Sequence, residues 1–259
     1  MDYGKPIIVP INSIEVAAIT SSNTYDFHDR VALVTGGASG IGAATAALLR
    51  AGGATVVVAD LVVGDAEHAL GCDVTDAAAV DTVVDTVVRT HGGLDILVCA
   101  AGTPGTVGLP WEIGDEEWRR ISAVNLDGTF HACRAAARHM AQRRRGRIVN
   151  VASVAGTRGQ ASLAAYAASK AGVVNLTQSF GVALASYGVL VNCVTPGVIR
   201  TPLLEGVDDD ALDAMVSRMP IGRMGEPEEV ARLIAFLASD DLTFSTGATF
   251  DVSAGRTLT

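Results

Sequence analysis

The chain has 259 residues, 49% of them hydrophobic and 18% charged, with a formal net charge of −9. That length suits one large α/β domain with a sizeable core, and the acidic balance argues against nucleic acid or an anionic membrane surface as a partner. No apolar run reaches transmembrane length. Cys72, Cys99, Cys133 and Cys193 show no C-x-x-C pairing and read as reduced core thiols of a cytoplasmic protein, with no metal-ligand set among them.

Residues 1–27 have no clear period. They lack a basic leader, and Pro6 and Pro10 interrupt their apolar residues. They are expected to form an N-terminal arm, packed on the domain or on a neighbouring subunit, with residues 28–259 as one domain. From Arg30 short β-branched runs alternate with alanine-rich stretches. Strands are predicted at Val31–Thr35, Ala54–Asp60, Ala69–Cys72, Leu94–Cys99, Arg147–Val151, Leu190–Thr195 and Thr249–Asp251. Helices are predicted at Ile41–Ala51, Ala77–His91, Asp127–Gln142, Leu163–Tyr187 and Pro227–Ser239. Strands that are apolar throughout, separated by helices, imply an α/β fold: a single, doubly wound parallel sheet of about seven strands with helices on both faces. The basic run from Gln142 to Arg147 reads as a solvated helix end. The acidic stretch Glu205–Asp213 reads as the mobile part of a loop near 202–224.

The first strand runs into Thr35-Gly36-Gly37-Ala38-Ser39-Gly40-Ile41-Gly42, and a helix follows. Glycines permit the tight turn and let a pyrophosphate approach the backbone, where free N–H groups of the helix start would meet it. Gly36, Ala38, Ser39, Gly40 and Ile41 are the candidates, although glycines also simply make turns. Asp60 ends the second strand, at the spacing where a Rossmann-type dinucleotide fold places the acid for the ribose 2′-OH. Its carboxylate would repel a 2′-phosphate, and no basic residue stands nearby to hold one, so NAD is favoured over NADP. Alternatively, Asp60 merely ends a strand. Asp73 and Val74 fit the edge of an adenine pocket, and Asp76 there could equally cap the next helix.

Tyr166 and Lys170, in Ala164–Gly172, are i and i+4 on one helical face. A nearby ammonium would lower the phenol's pKa and make it a general acid/base. The bland alternative is that both snorkel from a helix edge. Ser153 lies just past a buried strand, where its hydroxyl could meet the same substrate oxygen.

With these residues the sequence resembles the short-chain dehydrogenase/reductase family over residues 29–255. The family's Thr-Gly-x-x-x-Gly-x-Gly stands as Thr35 to Gly42. Its catalytic quartet matches Asn125 (in Val124-Asn125-Leu126-Asp127-Gly128), Ser153, Tyr166 and Lys170, and its Pro-Gly-x-x-x-Thr matches Pro196 to Thr201. The resemblance implies that Tyr166 exchanges a proton with the substrate oxygen and Ser153 holds that oxygen. Lys170 would depress the tyrosine's pKa and bind the nicotinamide ribose, and Asn125 would fix a relay water. Ala101 and Gly102 would face the ribose. Pro196, Gly197, Ile199 and Thr201 would hold the nicotinamide end. The family's Asn-Asn-Ala-Gly is Cys99-Ala100-Ala101-Gly102 here, and the stretch between Asp60 and Asp73 is too short for a full helix.

Thr103, Arg158 and Gln160 are candidate substrate contacts. Leu203, Leu204, Met215 and Met219 among acids suit a neutral or apolar substrate better than an anionic one. NAD-linked interconversion of a small secondary alcohol or diol and its ketone is the favoured activity, with a resemblance to cyclic dihydrodiol dehydrogenases. The alternatives are an NADPH-dependent 3-oxoacyl thioester reductase and, remotely, a non-catalytic nucleotide-binding regulator. The family also implies a homotetramer, paired through the two long apolar helices.

Overall fold

A computed structural model describes residues 25–64 and 68–258. Seven parallel strands form one sheet in the order β3-β2-β1-β4-β5-β6-β7. They are β1 (Val31–Thr35), β2 (Thr55–Asp60), β3 (Ala69–Gly71), β4 (Ile96–Cys99), β5 (Gly146–Val151), β6 (Val189–Pro196) and β7 (Thr249–Val252). Among the described residues seven α-helices accompany them: α1 (Gly40–Ala51), α2 (Ala77–His91), α3 (Asp115–Ser122), α4 (Gly128–Arg143), α5 (Ala164–Leu184), α6 (Asp209–Val216) and α7 (Pro227–Ala238).

Side chains alternate across the pleat, so each central strand feeds two cores. Leu33 and Leu97 face one side and meet Val84 of α2, Ala136 and Met140 of α4 and Leu184 of α5. Val34 and Val98 face the other and meet Leu49 of α1 and Ile234 of α7. Helices on both faces explain why the strands read as unbroken apolar runs. Strand order reverses between β1 and β4. Beyond the carboxyl ends of these strands lies the crevice where such sheets bind ligands.

Residues 1–24 of the expected arm lie outside the described residues. Phe27, at its end, is buried in the α1–α7 core beside Tyr25. Asp76 does cap α2, accepting from the Ala78 and Ala79 N–H groups at 2.8 and 3.2 Å. No helix occurs among the described residues between β2 and β3.

Several expectations need correction. The acidic stretch is in part helical, because Asp208 accepts from the Ala211 N–H at 2.8 Å and caps α6. The basic run is more than a solvated end. Arg143 and Arg145 reach the buried Asp95 carboxylate at 3.4 and 3.1 Å, and Asp95 also accepts from the Val31 N–H at 2.9 Å. α3 was not foreseen. It begins Asp115-Glu116-Glu117 and carries Arg119 and Arg120 in its last turn, charges that suit its dipole. α4 starts one residue later than expected, after a π-helical turn over Ala123–Asp127 that carries Asn125.

Candidate active site

The Gly-rich turn leaves β1 against the next crossover. Gly36 has φ +66°, and a Cβ there would stand 2.5 Å from the Ala101 backbone. The turn and the Ala100–Gly102 segment are therefore pressed together at the switch point. Ser39 opens α1, its carbonyl accepting from the Ala43 N–H at 3.0 Å while its hydroxyl makes no cap hydrogen bond. A glycine-rich turn beside a helix N-terminus fits a pyrophosphate. Asp60 flanks it, accepting from the Ala38 N–H at 2.9 Å and the Leu61 N–H at 2.8 Å. This carboxylate is held at the turn and does more than end a strand. Cys72 donates its N–H to the Asp60 carbonyl at 2.8 Å, which sets Asp73 at the same sheet edge. Asp73 itself accepts from the Thr75 N–H and hydroxyl at 2.9 and 2.8 Å. Val74 is buried under Gly128.

The four candidate catalytic residues come from three places. Ser153 follows β5, with its hydroxyl oxygen accepting from the Ala155 N–H at 3.1 Å. Tyr166 and Lys170 lie one turn apart on α5, with the Lys170 Nζ 5.8 Å from the tyrosine ring centroid. Lys170 is fully inside and donates to the Val151 carbonyl at 3.0 Å. Asn125 is buried on the π-helical turn. Its Oδ1 accepts from the Thr103 N–H at 2.8 Å, and its Nδ2 donates to the Thr103 carbonyl and to Ser169 Oγ, both at 3.1 Å. Gly102 sits between them: a Cβ there would lie 3.3 Å from Asn125 Oδ1 and 3.5 Å from Lys170 Nζ.

Electrostatics depart from expectation here. Burial pushes the Tyr166 phenol above its ordinary value, and a hydrogen bond with Ser153 acts against that. Lys170 does not lower it in this arrangement. Its own ammonium is pulled down to about 8, first by burial, with the nearby Cys99 acting the other way. Desolvation outweighs the i, i+4 attraction at this site.

Cys99 replaces one of the family's asparagines, yet it keeps a polar tie. Its thiol pairs with Cys133. Cys133 in turn reaches Asn150 Oδ1 at 3.4 Å, and Asn150 donates to Thr177 at 2.9 Å. This buried chain links β4, α4, β5 and α5, a role the sequence signals only through an asparagine within an apolar strand.

Pro196 ends β6 opposite Val252 and Gly197 abuts Ser253, while Ile199 is pinned to Gly225 by a parallel bridge. The Thr201 methyl lies against Gly40, so the segment reaches the turn. Of the substrate candidates, Thr103 is already engaged: its backbone holds Asn125, and its hydroxyl accepts from Arg120 at 2.8 Å. The Gln160 carbonyl accepts from the Leu163 N–H at 3.3 Å. Arg158 donates to the Arg256 carbonyl at 2.7 Å. Among the described residues no group of three or more His, Cys, Asp or Glu is placed to hold a metal ion, and no helix is long and apolar enough to cross a membrane.

Residues 36–257 match a family model described as enoyl-(acyl carrier protein) reductase. The chain is 44% identical to cis-4-hydroxycyclohexanecarboxylate dehydrogenase of Sinomonas cyclohexanicum, over 89% of this chain and 98% of that protein. It is 40% identical to the NAD(+) 2-dehydro-3-deoxy-L-rhamnonate dehydrogenase of Sphingomonas sp. strain SKA58, over 89% and 96%. The crystal structure of levodione reductase superposes with a TM-score of 0.85 at 32% identity, covering 90% of this chain and 99% of that one.

Proposed function

The chain belongs to the short-chain dehydrogenase/reductase family and is a nicotinamide-dependent oxidoreductase of alcohols and ketones, and on that premise we propose NAD as its cofactor and a small secondary alcohol or diol as its substrate. The observation that carries this is the Asp60 carboxylate, fixed against the Gly-rich turn by the Ala38 N–H. A second anion there would repel a 2′-phosphate. The printed name of the Sphingomonas relative, with its NAD(+), supports the same choice.

The residues divide the work. The turn from Gly36 to Ile41 would hold the pyrophosphate, and Asp60 the adenine ribose, with Asp73 and Val74 at the adenine edge. Ala101, Gly102 and Lys170 would face the nicotinamide ribose. Pro196, Gly197, Ile199 and Thr201 would orient the carboxamide. A bound nicotinamide would supply the hydride chemistry, as acceptor from the carbinol carbon or donor to the ketone. Ser153 holds the substrate oxygen. Tyr166 takes the hydroxyl proton during oxidation and gives it back during reduction. A phenol held above its ordinary pKa is suited to the donating role. As a base it needs its phenolate stabilised, and the Ser153 hydrogen bond is the contact that favours it here. Asn125 holds the Thr103 loop through both backbone polar groups, so its own role is positioning.

Replacing Tyr166 by phenylalanine should lower kcat by about 10³-fold while leaving the NADH dissociation constant nearly unchanged. A Tyr166→Phe protein with ordinary turnover would remove the proton-transfer role. NADH should also bind at least about tenfold tighter than NADPH, a difference of about 1.4 kcal/mol. Tighter NADPH would overturn Asp60 as the selector and bring 3-oxoacyl thioester reduction forward. We also propose a homotetramer, supported by the apolar side chains that α4 and α5 leave outside.

A further inference from the structure

The one buried residue of α3 is Ile121, so apolar packing does little to fix this helix. An ion pair on it does more. Arg120 donates from Nε to Glu117 Oε2 at 2.8 Å and from Nη2 to Glu117 Oε1 at 2.9 Å. An exposed pair at this spacing adds little stability by itself. Here both side chains also engage one loop. Arg120 Nη1 donates to the Thr103 hydroxyl at 2.8 Å, and Nη2 to the Pro104 carbonyl at 3.3 Å. Glu117 Oε1 accepts from the Thr106 N–H at 3.1 Å and from the Thr106 hydroxyl at 2.8 Å. The two residues clamp the loop at Thr103, Pro104 and Thr106.

That loop runs along the face of α5 that carries Tyr166. At its start, Gly102 lies beside Asn125 and Lys170, and Asn125 holds Thr103. In its middle, Gly105 is wedged between two helices. A Cβ there would stand 3.3 Å from Ile121 of α3 and 3.3 Å from the Cβ of Tyr166. At its end, Gly108 donates its N–H to the Ser162 carbonyl at 3.1 Å, two residues before α5. The loop backbone therefore leans on the root of the Tyr166 side chain, and a close-packed contact passes a shift on. A planar guanidinium suits the task, since its fork can hold a carboxylate and a loop at once. The Arg120 and Thr106 bonds hold the Glu117 carboxyl down at about 2, so the pair stays charged throughout the neutral range. Neither residue belongs to the motifs legible in the sequence.

We propose that Arg120 and Glu117 are positioning residues for the reaction: their clamp presses the Thr103–Thr106 loop against the first turn of α5 and so sets where Tyr166 stands relative to the substrate oxygen. This rests on the oxidoreductase reading and deepens it. Asn125 secures the loop where it begins, and the clamp secures the part that touches the tyrosine.

Two measurements on Arg120→Met test it, one of them independent of turnover. Hydrogen exchange read by mass spectrometry should be about tenfold faster over residues 103–108, where the Thr106 and Gly108 N–H groups report on the loop. With cyclohexanol and NAD as probes, kcat should fall about 10- to 100-fold, the effect of a small misplacement of a reacting group. The NADH dissociation constant should stay nearly unchanged, which separates positioning from a general loss of structure. Arg120→Lys keeps the charge but not the fork, and should behave more like Arg120→Met than like the wild type. Gly105→Ala approaches the same contact from the loop side. Its methyl group must push Ile121 or Tyr166 aside, so it should lower kcat in the same way. Unchanged exchange in Arg120→Met, faster exchange with ordinary turnover, or full activity in Arg120→Lys overturns the proposal. In each case alcohol oxidation by the wild type would still stand. A wild-type protein that oxidises no secondary alcohol with NAD would sink the oxidoreductase reading and the positioning role with it, while faster exchange in Arg120→Met would still show the clamp ordering the loop.

Discussion

Lys170 concentrates the conflict in this site. Its ammonium lies in the protein interior with one carbonyl partner, and burial draws its pKa down to about 8. An unfolded lysine titrates near 10.4. Between about 8 and about 10.4 the unfolded chain therefore binds the extra proton and the folded one does not. Stability contributed by this group rises with pH through that window. Function moves the other way. If the ammonium binds the nicotinamide ribose, kcat/KM for NADH, which reports the free enzyme, should fall above pH about 8. Lys170→Arg, which stays charged, should show lower activity but no break in that profile. A wild-type profile flat up to pH about 9.5 would mean that the charge is not used. Asn125 offers a second test at this scale. Alanine there strips the Thr103 N–H and carbonyl of their partner in a partly buried setting. The expected loss is about 2–4 kcal/mol, read from the urea midpoint, together with reduced activity. An unchanged midpoint would show that the Thr103 loop holds itself.

At the scale of elements, the phosphate turn is fixed by contact, beyond any need for flexibility. A Cβ on Gly42 would stand 2.0 Å from the Gly36 carbonyl oxygen, a backbone atom that cannot swing aside. Gly42→Ala should cost more than about 3 kcal/mol or fail to fold. Gly64→Ala, with nothing within 4 Å, should leave the denaturation midpoint in place. Equal midpoints for the two would refute the steric account. The same contrast explains what the sequence reveals. β1 and α2 were legible to the residue, one from four apolar positions ahead of Thr35, all five buried, and the other from its apolar-rich run after the Asp76 cap. α3 was not, because its eight residues include five charges and only Ile121 is buried. α6 was hidden by its acids, which read as a solvated loop although Asp208 makes them a helix start. The quartet and the turn were legible because the chemistry fixes local spacings. The Cys99–Cys133–Asn150 chain and the Arg158–Arg256 contact were not, since they join residues the spacing does not relate.

For the whole molecule, the surface left by α4 and α5 argues for assembly. Val182 on α5 is 81% exposed, and Phe130 on α4 is 38% exposed while leaning on Phe180 of α5. The Arg134 guanidinium covers the Phe130 ring at 5.4 Å. A net charge of −9 per chain opposes association, so a stable assembly needs this apolar contact to outweigh the repulsion, and salt should favour it. Light scattering on the eluting protein should report four chains. Val182→Asp would bring a buried carboxylate into each copy of the interface, at a cost of several kcal/mol per site. It should shift the protein to smaller species whose melting temperature depends on concentration. Because Val182 is far along α5 from Tyr166, any activity lost with it should return at high protein concentration. A wild-type protein that elutes as a monomer, or a Val182→Asp protein that stays tetrameric, would place the interface elsewhere or dispense with it.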